Sequence, residues 1–123
     1  METQNSLGIK EKLGFHIVAE LYVNDPSILN DENKIREALT DASIAGNMTV
    51  INVSSHKFAP HGVTALVLLA ESHMSIHTWP EYGYAAVDIF ACGKGDVDKS
   101  LARLEELIPV KEVKVVKFER GLF

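Results

Sequence analysis

Apolar positions along this chain recur with two periods, and the switch between them divides it into elements. "FHIVAELYV" (15–23) reads as a first strand. "NDP" then makes a turn in which Asp25 can cap a helix opening at Pro26. Ile28, Leu29, Ile35, Ala38, Leu39, Ala42 and Ala45 fall on one helical face, which predicts a helix over 27–45 closed by Gly46-Asn47. Period two then returns. "MTVINVSSHKF" (48–58) predicts a second strand, "APHG" (59–62) a turn, and "VTALVLLA" (63–70) a buried third strand. The stretch "ESHMSIHTWPE" (71–81) gives a fourth strand, "EYG" (81–83) turns it, and "YAAVDIFAC" (84–92) makes a fifth. Next comes a helix over about 96–107, with Asp96 or Asp98 near its cap and Pro109 beyond its end. "EVKVVKFE" (112–119) is the last strand, and residues 1 to about 12 read as a polar, mobile start.

The order β-α-β-β-β-β-α-β implies a largely antiparallel sheet. Two helices cover one face of it, so the fold class is α+β, a two-layer sandwich. The other sheet face has no helix to cover it, which is a signal for an oligomer. No internal repeat or linker breaks the 123 residues, and one domain, 1–123, is expected.

Composition narrows the function. With 46% hydrophobic and 24% charged residues the chain is typical of globular domains. A net charge of −5 and the absence of a basic block argue against nucleic acid as a partner. Lys111, Lys114 and Lys117 are interrupted by Glu112 and read as solvated positions. No apolar run approaches the roughly 18–20 residues that span a bilayer, and no leader pattern is present, so no membrane partner is expected. The one cysteine, Cys92, excludes an internal disulfide, and a cytoplasmic location is expected. "GKGD" (93–96) lacks the spacing of a phosphate-cradling loop and reads as a turn.

The unusual stretch is "ESHMSIHTWPE" (71–81). On a strand, His73, Ser75, His77 and Trp79 share one face, while Ser72, Met74, Ile76 and Thr78 share the other. Polar side chains in a central strand must find partners or lose about 1–3 kcal/mol each. A hydrogen-bonded network, a subunit contact or a reactive face would each account for them. His73 and His77 have the four-residue spacing of zinc ligands on a helix, but on a strand they stand some 13 Å apart. No metal site is expected. Cys92, at a strand end beside Gly93, is either an inert core thiol or an accessible one.

Over "HIVAELY", "KFAPHGVTALVLLAESH", "ESHMSIHTWPEYGYAAVDIFACG" and "VVKFERG" the chain closely resembles the small prokaryotic S-adenosylmethionine decarboxylase proenzymes of the pyruvoyl-dependent kind. The resemblance implies self-cleavage between Glu71 and Ser72 into a β chain (1–71) and an α chain (72–123). Ser72 then becomes a covalent pyruvoyl group, the only cofactor, which takes the substrate amine as a Schiff base. It implies that His77 is the proton acceptor in processing and Cys92 the proton donor in catalysis. It further implies that Phe58 and Trp79 flank the adenine of S-adenosylmethionine, that Glu81 holds the ribose, and that a homodimer of αβ units carries the site. It also implies that the product serves spermidine synthesis. Thr64 stands where many members have serine; it keeps the hydroxyl that the resemblance implies supports processing, but is stiffer about its first torsion.

Two alternatives remain open in the sequence: a related decarboxylase acting on arginine or ornithine, and a non-catalytic partner subunit. Strand parity also sets a structural expectation. Residues 72 and 77 lie on opposite faces of a regular strand, so a bulge or turn is expected near 71–73 if His77 is to reach Ser72.

Overall fold

In the computed structural model, which describes residues 11–123, six strands form one sheet in the order β2-β3-β4-β5-β1-β6. The elements are β1 (Lys12–Tyr22), α1 (Glu32–Ala45), β2 (Val50–Lys57), β3 (Val63–Leu69), β4 (Ser72–Trp79), β5 (Tyr84–Cys92), α2 (Val97–Leu107) and β6 (Glu112–Leu122). Every neighbouring pair is antiparallel. The chain thus keeps the expected order and is an α+β sandwich with both helices on one face.

Three boundaries differ from expectation by three residues or more. The single helix over 27–45 is in fact a 3₁₀ turn, Pro26–Asn30, followed by α1. Asp25 caps the first piece through Ser27 N–H at 3.0 Å, and Asp31 caps the second through Lys34 N–H at 3.1 Å. Two acidic caps so close in sequence make two short starts more favourable than one long helix. β6 runs three residues beyond 119, because it pairs with β1 as far as Lys12 opposite Leu122. The strand β1 correspondingly begins at Lys12, inside the segment expected to be mobile. The rest of that segment, 1–10, lies outside the described residues.

The core lies between the sheet and the helices. Ile17, Ala19 and Leu21 of β1, Ala65 and Val67 of β3, Met74 and Ile76 of β4 and Val87 and Ile89 of β5 pack there against Ile35, Leu39, Leu101 and Leu104 of the helices. Thr78 shares this buried face without penalty. Its hydroxyl donates to Leu29 C=O at 2.6 Å and accepts from Val63 N–H at 2.8 Å. On the opposite face of the sheet, Val18, Leu66, Leu68, Val116 and Phe118 are 43–55% exposed.

Candidate active site

β3 and β4 form a hairpin whose turn is Ala70-Glu71, with Leu69 opposite Ser72. Thr49 pins this turn from both sides. Its carbonyl accepts Ala70 N–H at 2.9 Å. Its own N–H and hydroxyl donate to the Glu71 carboxylate at 2.9 and 3.3 Å. The Thr49 amide is the main reason that the Glu71 carboxyl titrates below its ordinary value.

The Glu71 carbonyl, which precedes Ser72, faces the end of β5. It accepts the Cys92 backbone N–H at 3.1 Å and the Cys92 thiol at 3.0 Å. Two donors on one carbonyl oxygen polarise it and would hold negative charge developing there during attack. Gly93, at φ 64°, lets the chain turn away directly after Cys92. Ser72 itself has φ 157°. Glu71, Ser72 and Cys92 are therefore brought together, and Cys92 is exposed.

The irregularity expected near 71–73 is this turn, placed just before Ser72. It does not reconcile Ser72 with His77. β4 pairs without interruption from Ser72 to Trp79 with β5, and no bulge lies within it. The sheet's register shift is in β2, between Val50 and Asn52. Five residues of continuous strand hold Ser72 and His77 about 16 Å apart.

At the other end of β4 a second group assembles. A cavity of about 370 Å³ is lined by Phe58, His61, Gly62, Thr64, His77, Thr78, Trp79 and Glu81. All five of the remaining site residues, Phe58, Thr64, His77, Trp79 and Glu81, meet here. The antiparallel register sets Thr64 opposite His77, and Thr64 Oγ1 lies 3.0 Å from His77 Nδ1. Trp79 stacks on Tyr84 with ring centroids 5.4 Å apart. Burial, and the bond that Tyr84 donates to Glu20 at 2.5 Å, push the Tyr84 hydroxyl up to about 12, so it stays protonated. Glu81 is held by His61 Nε2 at 3.2 Å, a partner the sequence did not reveal.

A third group, equally hidden in the sequence, lies between these two on the open face. The Asp88 carboxylate receives His16 Nε2 at 2.8 Å, His73 Nε2 at 3.0 Å and the Ser75 hydroxyl. Partial burial pushes the Asp88 carboxyl up, but the bonds from Ser75, His16 and His73 together outweigh it and leave it below its ordinary value. Arg120 Nη1 donates to His16 Nδ1 at 2.7 Å. The one signal for this group was parity, since Asp88 falls in "YAAVDIFAC" on the face opposite Val87 and Ile89.

A two-layer α+β sandwich with a polarised Glu-Ser peptide and an aromatic–acidic pocket on its open face fits the class of small self-processing enzymes. Comparisons with known proteins agree. A family model described as S-adenosylmethionine decarboxylase matches residues 15–121, and the chain belongs to that family. It is similar to the S-adenosylmethionine decarboxylase proenzymes of Thermosipho africanus and Pyrococcus furiosus. The first is 45% identical over 92% of this chain and 88% of the relative. The second is 42% identical over 91% and 81%. A crystal structure of the adenosylmethionine decarboxylase from Aquifex aeolicus superposes with a TM-score of 0.85 at 39% identity, covering 92% of this chain and 94% of that one. Among the described residues no helix is long and apolar enough to cross a membrane.

Proposed function

We infer that this chain decarboxylates S-adenosylmethionine after cleaving itself between Glu71 and Ser72, giving a β chain of 1–71 and an α chain of 72–123. The observation that carries the reading is the Glu71 carbonyl, held by both the amide and the thiol of Cys92 directly before a serine. Backbone and side-chain donors already aimed at that oxygen suit the conversion of Ser72 to a pyruvoyl group. That group supplies a ketone that takes the substrate amine and accepts the electrons left when carbon dioxide departs.

This chain's own residues then divide the work. The Cys92 thiol is the acid that hands a proton to the substrate α-carbon beside residue 72. Phe58 and Trp79 offer ring faces to an adenine and to the sulfonium charge. The Glu81 carboxylate accepts the ribose hydroxyls, with His61 fixing its orientation. An aromatic–acidic pocket of this kind favours a nucleoside over arginine or ornithine.

The two halves of the site are too far apart to serve one substrate within a single chain: the His77 pocket lies on the uncovered face, and Ser72 sits beside the hairpin turn at the far end of β4, next to the exposed Cys92. A homodimer of αβ units removes the difficulty. A two-fold partner laid against that face brings the pocket, Thr64 and His77 of one copy to Ser72 and Cys92 of the other. The exposed Leu66, Leu68, Val18, Val116 and Phe118 supply apolar surface for the contact. In that arrangement His77, held by Thr64, is the base for the Ser72 α-proton. A cytoplasmic location completes the reading, because the thiol must stay reduced.

The test is release of carbon dioxide from carboxyl-labelled S-adenosylmethionine, arginine and ornithine side by side. Release from S-adenosylmethionine alone is expected. Release from arginine or ornithine instead would overturn the substrate assignment.

A further inference from the structure

The group around Asp88 has no duty in the proposed reaction, and its hydrogen bonds assign its protons. An ionised carboxylate only accepts, so both His16 and His73 present Nε2–H to Asp88. An imidazole in that tautomer carries its lone pair on Nδ1. In His16 that lone pair accepts Arg120 Nη1 at 2.7 Å. In His73 it faces the Ser72 hydroxyl at 3.4 Å.

This pattern argues against a cation site, although His16, His73 and Asp88 offer ligand atoms within 4.8 Å of one another. A metal would need the Nε2 lone pair of His16 and a proton on Nδ1, where Arg120 already donates. What remains is an Asp-His-Ser sequence ending on the serine at the scissile bond.

We propose that His73, oriented by Asp88, is the general base that takes the Ser72 hydroxyl proton in the first step of self-cleavage. The proposal rests on the reading that the chain processes itself. Ser72 Oγ loses its proton to His73 Nδ1 and bonds to the Glu71 carbonyl carbon. The resulting oxyanion is held by the amide and thiol of Cys92. The carbon–nitrogen bond then breaks, and His73 returns the proton to the departing Ser72 nitrogen. Amide has become ester with no external reactant. His73 thus acts before the α-proton is removed and on a different atom. The long 3.4 Å separation is the resting distance of a bond that shortens as the hydroxyl turns to attack. Asp88 is a positioning residue, holding the His73 tautomer from behind.

Hydroxylamine separates the steps, because it cleaves the ester and spares the amide. His73→Ala should be isolated as one intact chain, resistant to hydroxylamine, with cleavage slowed about 10²–10⁴-fold. Added imidazole should restore cleavage at Glu71-Ser72. Asp88→Asn, nearly the same in shape, should also accumulate hydroxylamine-resistant chain. Cleavage of His73→Ala at the unaltered rate would overturn the proposal, as would a hydroxylamine-sensitive block or a folded variant that imidazole does not rescue. Unaltered cleavage of Asp88→Asn would remove the positioning role. These outcomes presuppose that the unaltered chain cleaves. If it never does, the self-processing reading falls with the proposal, and the two failures are told apart by that control.

Discussion

Cys92 touches the Glu71 carbonyl through two different atoms, and substitution separates them. Cys92→Ala removes the thiol and keeps the backbone amide. Loss of one donor of this kind costs about 10²-fold in rate, so processing should slow yet finish. Once processed, the variant lacks its proton donor and should lose activity during turnover. Progress curves over many turnovers check this, and an unchanged lifetime would take Cys92 out of the donor role. Asp88 makes a second prediction at this scale. Its folded pKa lies below the ordinary 3.8, so the ionised form stabilises the fold. That stabilisation is present above the ordinary value and is lost as pH falls through the lower folded value. In thermal melts on a Ser72→Ala background, which keeps both chains uncleaved, the gap between Asp88 and Asp88→Asn should be constant near neutrality and shrink below pH 3.8.

The elements show which parts of the sequence could be read and which could not. The alternation of β4 was legible, since it placed His73, Ser75, His77 and Trp79 on one face and these are the residues away from the core, but the irregularity expected to bring His77 to Ser72 is not in the strand. The split before α1 was not, because periodicity sees the apolar face and not the competition between Asp25 and Asp31 for the cap. The end of β6 escaped because it depends on pairing with β1, which resumes at Lys12 opposite Leu122 after Gly121 at φ 70°. Long-range partners were the least legible. Nothing near His73 in sequence points to Asp88, His16 or Arg120, which arrive from three other strands. α2 offers a clean local test. Asp96 caps it through Lys99 N–H at 3.0 Å, so Asp96→Ala should lower stability by about 1 kcal/mol in chemical denaturation, with activity retained.

For the molecule as a whole, the uninterrupted β4 has the largest consequence. A rigid strand keeps Ser72 and the His77 pocket at opposite ends of β4, so in the proposed dimer each copy supplies one half of each site. Mixed dimers probe this arrangement. Neither Ser72→Ala nor His77→Ala alone should self-cleave to completion. Co-expressed, the His77→Ala chain should be cleaved, since its intact Ser72 meets the intact His77 of the Ser72→Ala partner. Absence of cleavage in purified mixed dimers would contradict a shared site.

Every step of the proposed chemistry depends on an electrophile made from Ser72. Mass spectrometry of the purified chain, read together with carbon dioxide release from S-adenosylmethionine, puts that dependence to the test. Two fragments, 1–71 and 72–123, are expected, the second beginning with a ketone in place of an amine, and Ser72→Ala should be one intact, inactive chain. Carbon dioxide release by Ser72→Ala, or by an uncleaved chain, would show that the electrophile has another source.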